Sequence, residues 1–164
     1  NLLLQKTPSD NFTATMKLTF TPNPKNKGER TGLIVMGRDY AGIILENTDK
    51  GLVLSQVECK KADKGKPEQT NASVDLSQNT VYLKVHFNYD GKKIKGSEGG
   101  HDLIVMCNFS YSLDGKKYQP LGNPFQAKEG QWIGTKVGMF CTRPAIVTND
   151  GGWVDVDWFR ITKK

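Results

Sequence analysis

Phe12-Thr13-Ala14-Thr15-Met16-Lys17-Leu18-Thr19-Phe20-Thr21 decides the fold. Apolar and polar residues alternate without a break, so successive side chains must point to opposite sides of an extended chain. One side is apolar and buried, the other hydroxyl-rich and wet. Pro22-Asn23-Pro24 ends the strand, because proline cannot donate to a ladder.

The same reading extends outward. Val81, Leu83, Val85 and Phe87 alternate with Tyr82, Lys84, His86 and Asn88, and Asp90-Gly91 predicts a turn directly after them. Residues 31–37 and 42–46 are short apolar runs on either side of Arg38-Asp39-Tyr40-Ala41. Residues 51–59 follow the turn signal Asp49-Lys50-Gly51, and residues 103–112 lead into the hairpin signal Asp114-Gly115. Residues 136–141 and 153–161 close the series, and the polar stretch 60–71 predicts a long loop. No segment sustains a helical i, i+3, i+4 pattern. Many short strands with turn chemistry between them predict an all-β sandwich or barrel.

Composition bounds the rest. With 164 residues, 37% of them hydrophobic and 24% charged, the chain suits one globular domain, residues 1–164. No apolar run approaches the roughly 20 residues of a membrane helix. The net charge of +6 is spread over Lys60-Lys61, Lys92-Lys93-Lys95, Lys116-Lys117 and Lys163-Lys164, each beside a turn. No aromatic-interleaved basic stripe marks a nucleic-acid site. Cys59, Cys107 and Cys141 form no Cys-x-x-Cys pair; two lie in apolar strands, so free thiols are the default, with one disulfide open but not demanded. The chain starts at Asn1 without a signal segment, so a piece of a longer or processed protein is expected.

Catalytic signatures are missing: there is no Gly-x-Ser-x-Gly, no His-Glu-x-x-His and no phosphate loop. His86 falls on the wet side of its strand, and His101 follows a glycine-rich turn. The most suggestive acids are Asp155 and Asp157, which at i, i+2 on a strand share a face and lie roughly 6.5–7 Å apart along it. Three roles are open to them: hydrogen bonding at a sheet edge, holding calcium together with backbone oxygens, or acting as a glycosidase pair.

Three segments carry a family resemblance. Cys107-Asn108-Phe109-Ser110-Tyr111-Ser112-Leu113-Asp114-Gly115 is the first, and Gly130-Gln131-Trp132-Ile133-Gly134-Thr135-Lys136-Val137-Gly138-Met139-Phe140 the second. Gly151-Gly152-Trp153-Val154-Asp155-Val156-Asp157-Trp158-Phe159-Arg160 is the third. With the opening Leu2-Leu3-Leu4-Gln5-Lys6 and with Arg30-Thr31-Gly32-Leu33-Ile34-Val35-Met36-Gly37, they resemble the C-terminal concanavalin A-like domain of family 43 glycoside hydrolases, the β-xylosidases and α-arabinofuranosidases.

That resemblance implies a jelly-roll sandwich of two antiparallel sheets, an accessory domain packed against the enzyme's own catalytic β-propeller, which this chain is too short to include. It implies a secreted or periplasmic enzyme acting on xylan or arabinoxylan. By similarity to the last strand of lectin-like jelly rolls, it also implies one structural calcium with Asp157 as ligand.

Sugar rings are met by flat aromatics with a few polar groups beside them. The expected carbohydrate-binding set is Tyr40, Tyr82 and Trp153, with Arg38, Asn149 and Asp150 as polar partners. For Trp132 and Trp158, core packing is the commoner fate. Two further functions stand beside this one: an interface domain without sugar affinity, and a small stand-alone concanavalin A-like glycosidase.

Overall fold

The computed structural model describes residues 1–93, 103–130, 134–144 and 149–163. Its strands are β1 (Leu2–Lys6), β2 (Phe12–Thr21), β3 (Arg30–Met36), β4 (Tyr40–Thr48), β5 (Gly51–Cys59) and β6 (Gln69–Leu76). They continue with β7 (Thr80–Lys93), β8 (Leu103–Ser112), β9 (Gln119–Pro120), β10 (Phe125–Ala127), β11 (Lys136–Thr142) and β12 (Trp153–Lys163).

One antiparallel sheet has the order β1-β11-β3-β4-β5-β6; the other runs β10-β8-β7-β2-β12, with β9 paired to β8. We call them sheet A and sheet B. The decisive decapeptide is the fourth strand of sheet B, and its residues alternate between buried and half-buried throughout. Phe12, Ala14, Met16, Leu18 and Phe20 meet Leu33, Val35, Ile43, Leu45 and Leu54 from sheet A in one apolar core. Phe12 stands opposite Phe87 in the register, and their rings stack at 4.1 Å. Such a cross-strand aromatic pair favours one register, since a one-residue slip of either strand would turn its ring to water. Among the described residues, the one polar side chain shut into this interior at 0% exposure is Gln56, whose amide oxygen accepts from Asn71 and from the Asn123 backbone. Its amide nitrogen donates to the Val57 carbonyl, so the polar group is satisfied.

The all-β sandwich expectation holds, and two local expectations change. Asp90-Gly91 does not end its strand: β7 runs on to Lys93, and its pairing with β8 shifts between Tyr89 and Lys93. Gly91 spends its positive φ of 86° inside that irregularity rather than in a turn. The long polar loop is also shorter than 60–71, because β6 begins at Gln69. Its apolar side is reduced to Ala72, Val74 and Leu76 on an edge strand, a weak signal within a polar stretch. As expected, the three cysteines are free, with Cys59 and Cys107 buried and Cys141 partly so.

Candidate functional site

Strand β12 is the outermost strand of sheet B and pairs with β2. Val154 and Val156 stand opposite Phe20 and Leu18, facing the core. Continued alternation would send Trp158 inward and Phe159 outward. Instead the register shifts between Val156 and Trp158, with Asp157 as the extra residue, and Phe159 and Ile161 pack on the core. A bulge of this kind reverses the facing of everything beyond it. Trp158 therefore stands opposite Lys17, which in turn stands opposite Tyr82, all three on the outer side of sheet B.

The result is a row of aromatic and cationic groups across three strands. The rings of Trp158 and Tyr82 lie 6.1 Å apart, tilted at 51°. The Arg160 guanidinium sits 4.4 Å from the Trp158 ring centroid, and the Lys17 amine 6.0 Å from that of Tyr82. Lys84 lies 3.3 Å from the ring centroid of Tyr118, a residue beyond β8, and partial burial lowers its pKa. Trp153, 59% exposed, starts the same strand opposite Thr21, and its indole N–H donates to Asp155 at 3.2 Å. Thr15, Thr19 and Thr80 fill the face between these rings with hydroxyls; those of Thr19 and Thr80 share a hydrogen bond.

The other expected contacts are dispersed. Asn149 and Asp150 lie in the segment before β12, where the Asp150 carbonyl accepts from the Asn23 and Asn26 side chains and its carboxylate faces Arg143 at 3.5 Å. Arg38 is at the opposite end of the sandwich, lining a cleft of about 540 Å³ with Thr7, Asp10, Gln126, Lys128 and Glu129. Tyr40 faces outward on sheet A, and its hydroxyl donates to Glu68, which also pairs with Arg30. Burial, followed by the Glu68 carboxylate, pushes the Tyr40 phenol well above its ordinary pKa. The expected set is thus split over four places, and only Tyr82 and Trp153 share a sheet face. Trp132 and His101 lie outside the described residues. His86 is on the wet side as expected, 3.0 Å from the Thr13 hydroxyl.

Asp155 and Asp157 do share the outer side of β12, but each has a partner. The Asp157 carboxylate is met by Lys17 at 3.2 Å and is 41% exposed. Among the described residues, no three His, Cys, Asp or Glu side chains stand together as a metal-binding group. A carboxylate already neutralised by a lysine, with Asp155 on the same face engaged by the Trp153 indole, offers too few oxygens for calcium, which gathers roughly 6–8. Burial pushes the Cys107 thiol far above its ordinary pKa, the reverse of what a nucleophile needs.

The chain matches, over residues 1–162, the family model described as the β-xylosidase C-terminal concanavalin A-like domain. Among solved structures it resembles a bifunctional GH43-CE protein of Bacteroides eggerthii, with a TM-score of 0.78 at 23% identity. That alignment covers 100% of this chain and 19% of the other. The GH43 protein BlXynB of Bacillus licheniformis gives 0.74 at 22% identity, covering 100% of this chain and 30% of its own. Xylan β-1,4-xylosidase of Bacillus halodurans C-125 gives 0.72 at 18%, covering 99% and 29%. The chain thus spans less than a third of the length of these structures. No curated protein matches it.

Proposed function

The chain belongs to the family of β-xylosidase C-terminal concanavalin A-like domains, and from that footing we propose a non-catalytic accessory domain that supports a glycosidase catalytic domain and holds xylan-type polysaccharide on the outer face of sheet B. The observation that carries the sugar-binding half is the outward turn of Trp158 beside Tyr82, with Trp153 exposed on the same strand. Flat rings in a row offer stacking surface to successive pyranoses, and the intervening threonines offer hydrogen bonds. Such a polymer is met outside the cytoplasm, so the whole protein would be secreted or periplasmic.

Titration calorimetry with neutral xylo-oligosaccharides tests this reading. Heat of binding that disappears in Trp158→Ala supports it; no heat at millimolar ligand with folded protein removes it.

The supporting half has its own observation. Leu2 and Leu3 are 50% and 69% exposed on β1, the edge strand of sheet A. Apolar side chains on an unpaired edge suit coverage by another domain. If sugar binding fails while Leu2 and Leu3 become protected on joining a catalytic domain, the purely structural reading takes its place.

A further inference from the structure

The face just described carries more than rings. Below the row Trp158–Lys17–Tyr82 runs a second row, Arg160–Thr15–Lys84–Ser110, in direct register across β12, β2, β7 and β8. We propose that Arg160 and Lys84 make this face selective for glycans bearing carboxylate groups, that is, uronic acid branches on an otherwise neutral chain. The proposal rests on the sheet B face being the sugar site, and it names the class of sugar.

Three observations converge on it. First, the cations are uncommitted. Lys17 is neutralised by Asp157, whereas Arg160 and Lys84 have no ion-pair partner among the described residues. Second, both are pre-positioned. Arg160 is exposed yet held over the Trp158 ring, which restricts its guanidinium and leaves N–H groups for a bidentate acceptor. Lys84 is held against Tyr118. A planar carboxylate matches the guanidinium fork. Third, the charge is sparse. Two cations on strands about 10 Å apart, each over its own ring, fit a mostly neutral polymer with occasional acids. A densely charged polyanion would call for a continuous basic stripe, and here Asp155 and Asp157 interrupt it.

The test is titration calorimetry on this chain with three matched ligands: a neutral xylo-oligosaccharide, the same oligosaccharide carrying one glucuronic acid branch, and its methyl ester. The acid should bind about tenfold more tightly than the ester at low salt, the worth of one charge-assisted contact. The preference should shrink with added salt. Arg160→Gln should remove most of the preference for acid over ester, and Trp158→Ala should weaken all three ligands. Equal affinity for acid and ester, unchanged in Arg160→Gln, overturns the acid selectivity and leaves the stacking site standing. Absence of binding by all three overturns both. Tighter binding of dextran sulfate or oligothymidylate than of the branched acid, insensitive to Trp158→Ala, overturns the proposal in favour of a general anion surface.

Discussion

The Glu29 carboxylate accepts the backbone N–H of Gly152 at 2.8 Å, across 123 positions of sequence. Its other oxygen accepts the Asn23 N–H at 2.6 Å, and the side chain is 3% exposed. The Asn47 amide donates to the carbonyls of Asn23 and Asn26 at 3.0 Å each. A single buried carboxylate therefore ties the loop after β2 to the entry of β12, the strand that carries Trp153 and Trp158. Glu29→Ala should leave two half-buried donors without their acceptor, at about 1–2 kcal/mol each. The expected loss is about 2–4 kcal/mol and a melting midpoint lower by roughly 5–10 °C. Glu29→Gln, which keeps one acceptor, should lose less. Thermal melts of the two variants check this; midpoints within a degree of wild type would show that the loop is held by other contacts.

The bulge at Asp157 predicts opposite behaviour for two adjacent aromatics. Phe159 packs on the core and Trp158 does not. Phe159→Ala should cost about 2–3 kcal/mol, below the range for a fully buried ring because Phe159 is only half-buried. Trp158→Ala should cost less than about 1 kcal/mol. Urea unfolding of the pair distinguishes them, and a larger loss for Trp158 would contradict the assigned facing.

Asp114 sets part of the acid limit. Backbone N–H groups of Lys117 and Lys116, together with the Ser112 hydroxyl, bring its pKa from 3.8 down to about 2. A carboxylate whose folded pKa lies below its unfolded value stabilises fully above the unfolded pKa and loses that contribution as pH falls through the folded one. Asp114→Asn should therefore differ most from wild type above pH 4, and the gap should close between pH 4 and 2. Midpoints measured across that interval test it; a constant gap would mean that the turn does not favour the ionised form.

Metal removal gives a further check. With Lys17 on the Asp157 carboxylate, a chelator at neutral pH should leave the melting midpoint within about a degree. A fall of several degrees, restored by calcium, would demand a donor set other than the one around Asp157.

Residues 12–21 determined one half-buried strand by themselves, because an unbroken period of two admits only a strand with one wet side. The same logic put Tyr82 on the outer face before any coordinates. Glycine-rich punctuation and the three matching segments then supplied the sandwich and the family. β6 carried little signal, since its apolar side is reduced to Ala72, Val74 and Leu76, which pack on the core while the rest of the strand is polar.

The site was legible only in part. Tyr40, Arg38 and Asn149 satisfy the same chemical description as Tyr82 and Trp153, yet they lie on another sheet or beyond the strands; proximity comes from pairing across long separations, which composition does not encode. Above all, a single unpaired residue, Asp157, decided whether Trp158 meets the core or the solvent. Its neighbours are apolar on both sides of the bulge, so the pattern alone favoured burial. Where the ladder slips is fixed by the register of β12 against β2, a tertiary property with no local signature.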